Sequence, residues 1–140
     1  MIKIKIFSTG KCKETWLELA IDEYTKRMKN DLSFEWILLK DEDKLYKLAL
    51  QEKDLLALTL EGKEYDSIEF SKQFFHLIEK NQSRLSILIG GAEGIPKQLI
   101  EKVPQICLSK LTWSHQTVRL LLLEQIYRAY TIRNGSNYHK

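Results

Sequence analysis

Cysteine, proline and long apolar runs are what this chain has least of, and each shortage excludes something. Among 140 residues there are 2 cysteines and 2 prolines. Cys12 and Cys107 stand far apart with no CxxC spacing, so neither a zinc site nor a redox pair is supported, and two reduced thiols are expected. No metal site is expected either. The longest leucine run, Leu120 to Leu123, is far too short to cross a bilayer. No charged-then-apolar leader precedes a small-residue cleavage site, so the chain reads as cytoplasmic with no membrane partner. Charge of one sign is also lacking: Lys and Arg number 22 against 19 Asp and Glu, a formal charge of +3. That is a lean without the basic stripe or tail of a protein that grips nucleic acid by charge alone, so nucleic acid is neither demanded nor excluded. GxGxxG, the P-loop pattern, HExxH, a Ser-His-Asp order and paired carboxylates are all missing, and hydrolase or dinucleotide chemistry has no named residues.

What is present describes an ordinary globular domain, with 44% hydrophobic and 29% charged residues. A chain of this length can bury a real core as one domain over residues 1–140. Ile2 to Phe7 alternates apolar residues with lysine, the period of a strand with one wetter face. From about Lys13, Trp16, Leu17, Ala20, Ile21, Tyr24 and Met28 fall at helical spacing, with Lys26 and Arg27 near the end, where cations suit the helix dipole. Phe34 to Leu39 is a second strand. Asp41 opens a short helix that runs to about Lys53. Leu55 to Leu60, almost wholly apolar, reads as a strand buried on both faces of a parallel sheet. Asp66 and Glu69 form a capping pair ahead of a helix carrying Phe70, Phe74, Leu77 and Ile78. Leu85 to Ile89 is a fourth strand, Pro96 opens a short helix through Lys102, and Ile106 to Leu108 is a last short strand. Thr117 to about Arg133 is the most apolar helix. Val118, Leu122, Ile126 and Ala129 make one stripe, and Leu120, Leu123, Tyr127 and Tyr130 a second. Strands alternating with helices predict an α/β fold with a mostly parallel sheet. The two-striped last helix needs two packing partners, the second expected to be another copy of the chain.

In such sheets ligands bind beyond the carboxyl ends of the strands. Three loops are candidates: Glu61-Gly62-Lys63, Gly90-Gly91-Ala92-Glu93-Gly94, and Leu108 to His115. The glycine loop has two readings, a close approach to a ligand or a tight strand-to-helix turn. His115 either caps or packs, or takes part in chemistry, and His76 reads as solvated or structural. The end, Tyr138-His139-Lys140, follows a flexible polar stretch and on composition alone reads as a frayed terminus.

Four segments together carry a family resemblance: IKIKIFSTGK at 2–11, LSILIGGAEGI at 85–95, LSKLTWSHQTVRLLLLEQIYRAYTI at 108–132, and the closing YHK. They resemble the ribosomal RNA large subunit methyltransferase H family, small SPOUT-class enzymes, over essentially the whole chain. The resemblance implies a C-terminal trefoil knot, a rare exception to the rule against knots. It also implies a homodimer and S-adenosylmethionine as cofactor. The implied reaction is methyl transfer to ring nitrogen N3 of a pseudouridine in large-subunit (23S) ribosomal RNA, within the assembled ribosome. The cofactor-binding positions carried over are Leu58, Gly90, Gly91 and the loop Leu108, Ser109, Lys110, Leu111, Thr112, Trp113 and Ser114. Ser114 stands where relatives usually have proline. The tail is thought in the family to close over the partner's site. His139 is the expected base for the N3 proton, with Tyr138 and Lys140 orienting the substrate. Arg119, Arg128, Arg133 and Lys140 are the expected RNA contacts; for the arginines the alternative is helix-surface ion pairing, such as Glu124 with Arg128.

Overall fold

β1 (Ile2–Thr9), α1 (Thr15–Arg27), β2 (Leu32–Leu39), α2 (Glu42–Ala49), β3 (Leu55–Glu64), α3 (Ser67–Lys80), β4 (Arg84–Ile89), β5 (Gln105–Cys107) and α4 (His115–Arg133) follow one another along residues 1–140, all described by the computed structural model. A 3-10 turn at Lys97–Leu99 lies between β4 and β5. The five strands form one sheet in the order β2-β1-β4-β3-β5, and every pairing is parallel. The expected α/β architecture is therefore what the chain adopts.

Strand alternation decides which layer each side chain joins. Ile4 and Ile6 of β1, Leu56 of β3, and Leu85, Ile87 and Ile89 of β4 pack with Leu17 and Ile21 of α1, Phe70, Phe74 and Ile78 of α3, and Leu122, Leu123 and Ile126 of α4. The opposite face is smaller: Phe7, Leu55 and Leu88 meet Leu45, Tyr46 and Ala49 of α2. At about 1.5–3 kcal/mol for each fully buried large aliphatic side chain, the 19-residue cluster outweighs the 6-residue one, so the three-helix layer carries most of the stability.

Helix starts follow local chemistry. Asp41 Oδ1 accepts from the Lys44 N–H, Ser114 Oγ accepts from the Thr117 N–H, and Asp66 with Glu69 forms a reciprocal capping box. The φ of −61° at Ser114 is one that proline also adopts, so serine keeps the backbone there and adds a cap.

The structure corrects several expectations. α2 stops at Ala49, not Lys53, because Leu50 to Asp54 turns the chain back into β3. The Pro96 segment forms a single 3-10 turn instead of a helix to Lys102. Glu61-Gly62-Lys63 is no loop: β3 continues through it to Glu64, paired with β5. α1 of the same chain supplies the second partner that α4 needs. Tyr127 meets Tyr24 of α1 with ring centroids 5.6 Å apart, while Ser71 of α3 donates to the Ala129 carbonyl on the other side. The second stripe is thus used within the chain.

Candidate active site at the carboxyl ends of the strands

β1 and β4 are neighbours, yet the chain leaves them toward opposite layers, β1 into α1 and β4 toward the α2 side. Loops that part in this way open a crevice at the carboxyl edge of a parallel sheet. Into it projects the start of α4. Arg119 there is 1% exposed. Its Nε donates to Ser8 Oγ at 2.9 Å, Nη2 to the Thr9 and Gly10 carbonyls at 2.6 and 2.7 Å, and Nη1 to Gln116 Oε1 at 3.2 Å. Gln116 in turn donates to the Lys11 carbonyl at 3.0 Å. Two side chains of α4 therefore clip the Ser8–Lys11 turn, where Gly10 supplies the positive φ of 74°. Burial pushes the Arg119 guanidinium below its ordinary pKa, and no carboxylate is bonded to it. Its neighbour His115 is lowered as well, first by burial and then by the Arg119 charge, so the ring is neutral at pH 7. One buried side-chain oxygen lacks any partner, Thr9 Oγ1, at this same strand end.

The glycine loop is held from α2. Tyr46 Oη accepts from the Gly91 N–H at 3.1 Å, and a Cβ at Gly91 would run into the Glu42 carboxylate. A Cβ at Gly90 would lie 2.8 Å from Ile95 Cγ1. At Gly90 the loop folds tightly on Ile95, whereas at Gly91 the Glu42 side chain could swing aside. Register places Leu58 opposite Ile89, the residue before Gly90, and also opposite Ile106 of β5, two residues before Leu108. Leu58, Gly90 and the Leu108 loop are thereby brought to one edge. Ile106 is partnered a second time, by Lys63. Between the two pairings the register shifts, and Gly62 lies so close to the β5 backbone that an added Cβ would sit 2.5 Å from the Ile106 carbonyl carbon. Thr59 Oγ1 donates to Gln105 Oε1 at 2.9 Å and Lys110 Nζ to the Leu60 carbonyl at 2.8 Å, tying this part of β3 to β5 and the loop after it.

Beside that loop lies a cleft of about 470 Å³ whose wall includes Phe70, Ile106, Leu108, Ser109, Trp113 and Glu124. Leu58, Gly90 and Gly91 are not in its wall. Glu124 links the cleft to the chain's end. Its Oε1 accepts from Arg128 Nη2 at 2.6 Å, Arg128 Nε at 3.1 Å and Tyr138 Oη at 3.2 Å. Arg128 Nη1 meets His139 Nδ1 at 3.1 Å, and the Tyr138 ring stands edge-on to Tyr127, centroids 4.7 Å apart. Burial and hydrogen bonding to Tyr24 and Glu124 push the Tyr138 pKa up to about 12, so it remains a phenol and a donor. The tail is therefore seated along its own α4, where composition alone suggested a frayed end.

A family model described as "Predicted SPOUT methyltransferase" matches residues 2–139. The chain is 44% identical over 140 residues, the whole of both proteins, to the ribosomal RNA large subunit methyltransferase H of Protochlamydia amoebophila. It is 36% identical over 159 residues to that of Clostridium tetani, covering 99% of this chain and all of the relative. This chain belongs to the ribosomal RNA large subunit methyltransferase H family. A solved structure described as a probable methylase family protein, from Haemophilus influenzae, aligns with a TM-score of 0.52 at 10% identity, over 99% of this chain and 70% of that one, and speaks to the fold alone.

For a member of this family, the candidate residues fall into three groups. Leu58, Gly90, Gly91 and the Leu108–Ser114 loop converge at the sheet edge, with Leu111 and Trp113 exposed. Tyr138, His139 and Arg128 form the tail cluster. The expected RNA contacts scatter: Arg119 is buried in the strand-end clip, Arg128 is engaged by Glu124, Arg133 pairs with Glu79 at 3.2 Å and covers the Phe75 ring, and Lys140 is exposed. The ion-pair alternative for Arg128 with Glu124 is the arrangement present. Sequence reasoning missed Tyr46 as a support of the glycine loop, and Glu124 as the hub of the tail. No local pattern marks Tyr46, whose role depends on α2 reaching across to the loop after β4. Glu124 was visible as half of an i, i+4 pair. The family's cofactor, S-adenosylmethionine, suits the loop after β5: an apolar and aromatic cleft within the roughly 300–1,000 Å³ usual for small ligands has Leu108, Ser109 and Trp113 in its wall, while Leu58 and the glycine loop lie at the same strand ends outside it.

Proposed function

We propose that this protein transfers a methyl group from S-adenosylmethionine to N3 of a pseudouridine in large-subunit (23S) ribosomal RNA within the assembled ribosome. The observation that carries the reading is the full-length likeness to the Protochlamydia amoebophila enzyme, which runs from β1 through the tail without a gap in coverage. When bound, the cofactor supplies an activated methyl on a sulfonium, so the protein is left to bind, orient and manage one proton. Leu58, Gly90, Gly91 and the backbone of Leu108 to Ser114 hold it, with Tyr46 keeping the glycine loop in shape. Orientation of this kind supplies much of the rate by holding the reacting atoms at attack distance. Tyr138 and His139 are the groups that act on the acceptor base, and Arg133 and Lys140 face the RNA.

Two finer features belong to the same proposal. The passage of β3 over β5 at Gly62 is the crossing of a trefoil knot, with α4 as the threaded end; the double partnering of Ile106 supports it. The working form is a homodimer. Trp113 lines the cleft, and Leu60, Ile68 and Leu111 are exposed on segments bordering it, an apolar set that a second copy would cover. Sedimentation at micromolar concentration is expected to give twice the chain mass of 16.5 kDa; monomer alone would remove the dimer.

The deciding experiment is methyl transfer from labelled S-adenosylmethionine to ribosomes from cells lacking this protein, followed by nucleoside mass spectrometry. A new methyl on pseudouridine is expected. With so small a net charge, recognition depends on the shape of the particle, so naked RNA should be a poor substrate. Cofactor binding with no methylated ribosomal nucleoside would refute the proposed acceptor.

A further inference from the structure

We infer that His139 serves the acceptor base as a hydrogen-bond donor through Nε2, with Arg128 as the residue that positions it, and that it is not the group that takes the ring proton. This rests on the methyltransferase reading above. A guanidinium has N–H donors and no acceptor. The 3.1 Å contact between Arg128 Nη1 and His139 Nδ1 therefore makes Nδ1 the acceptor. With that lone pair engaged, the ring is neutral and its one proton sits on Nε2. An Nε2–H has no lone pair with which to receive a proton, but it can donate, and the one side-chain hydrogen bond of His139 within the chain is at Nδ1.

The clamp is built to keep this tautomer. Arg128 is fixed by two hydrogen bonds to Glu124 Oε1, at 2.6 and 3.1 Å, and its charge lies 5.0 Å from the centre of the Tyr138 ring. Glu124 Oε1 also receives the Tyr138 hydroxyl, and Gln125 Nε2 donates to Oε2 at 3.0 Å. From α1, Tyr24 and Arg27 approach Tyr127. One carboxylate on the cleft wall thus sets the position of both tail side chains.

The chemistry has a use for such a donor. N3 of the ring lies between two carbonyl groups, and loss of its proton spreads negative charge onto their oxygens. A fixed N–H aimed at one of them stabilises that anion, as oxyanion-hole donors do. The step balances without a histidine base. The N3 proton passes to water, the N3 lone pair bonds to the methyl carbon, and the methyl–sulfur bond breaks with its electron pair left on sulfur, which becomes a neutral thioether.

The test pairs a spectroscopic readout with two substitutions in the full-length protein. Imidazole 15N spectra at pH 8, with His139 assigned by the signal missing from His139→Gln, should show the Nε2–H tautomer. Arg128→Ala should convert it to a mixture. In ribosome methylation, His139→Gln, which can donate but is no base, should stay within about tenfold of wild type, while His139→Ala should lose about 100-fold or more. An Nδ1–H ring or an imidazolium in the wild type, or a glutamine variant as inactive as the alanine one, would overturn the inference. A wild type that methylates nothing would refute the methyltransferase reading instead, and the tautomer, read without RNA, would still decide this one.

Discussion

Arg119 is where structure and sequence expectation part most sharply, and replacing it with methionine separates the two roles. Methionine keeps the length and apolar stem while removing the fork. The Thr9 and Gly10 carbonyls, Ser8 Oγ and Gln116 Oε1 each lose a donor. Hydrogen bonds to a charged group contribute about 1.5–3 kcal/mol each, so four sum to roughly 6–12 kcal/mol before relief of burial. Taking a guanidinium into the interior without a bonded carboxylate costs several kcal/mol in return, as burial of an ion generally does. The turn can also open to let water reach its carbonyls. The net loss expected for Arg119→Met is about 2–4 kcal/mol. At roughly 3–6 °C per kcal/mol for a chain of this size, Tm should fall by about 6–24 °C. Denaturant midpoints at fixed protein concentration measure it, with amide exchange accelerated first at Gly10 and Lys11. Arg119→Lys, which can reach one carbonyl but not span all four acceptors, should recover only part of the loss. A methionine variant within 0.5 kcal/mol of wild type but weak in RNA binding would refute the clip and restore Arg119 as a phosphate contact.

Three further outcomes follow from particular contacts. Gly62→Ala places a Cβ 2.5–2.7 Å from three backbone atoms of Ile106, an overpacking that should cost about 1–3 kcal/mol or more by chemical denaturation; an unchanged midpoint would mean that β3 does not cross β5 there. Tyr46→Phe removes the acceptor of the Gly91 N–H and, at about 0.5–1.5 kcal/mol, should weaken S-adenosylmethionine binding by about 2–10-fold in calorimetry with far-UV circular dichroism unchanged; undiminished affinity would sever the glycine loop from the cofactor. His115, lowered by burial and the Arg119 charge, is neutral when folded while its unfolded counterpart titrates near pH 6.5. Its contribution is therefore full above about pH 6.5 and declines as pH falls through the lowered folded value. His115→Gln should flatten the midpoint-against-pH curve between about pH 5 and 7, and an unaltered slope would assign the titration elsewhere.

Periodicity sufficed where an element shows its own period. Ile2 to Phe7 alternates, and Phe70, Phe74 and Ile78 recur at helical spacing, so local pattern and tertiary fold agree there. It failed where a segment's state is decided by a remote partner. Glu61-Gly62-Lys63 looks like a turn because it holds glycine, yet that glycine serves a close approach to Ile106, not a positive φ. The two stripes of α4 were legible, but not that α1, nearly a hundred residues earlier, covers the second. The site shows the same division. Gly90, Gly91 and the Leu108 loop could be singled out from the rule that ligands gather beyond strand ends. Arg119 could not be told from Arg128 or Arg133, since all three are arginines of one helix and only tertiary packing buries one of them.

That one helix carries all three arginines explains how the site is held together. A residue along α4 advances the chain about 1.5 Å and turns it about 100°, so Arg119 and Arg128 lie roughly 14 Å apart along the axis. Arg119 looks inward to the end of β1, while Glu124 faces the cleft and, with Arg128, the tail. Ser114, at the start, caps the helix and ends the loop after β5. A single rigid element therefore fixes the strand-end turn, the loop after β5 and the terminal histidine against one another, with no long flexible linker between them. The seven residues after Arg133 return along the same helix to an anchor at Glu124, which sets Tyr138 and His139 beside α4. Were the tail held by a separate loop, its hydrogen-bond geometry would drift with every motion of that loop. Anchored at Glu124, it is held by the same helix that Ser114 caps at the end of the loop after β5.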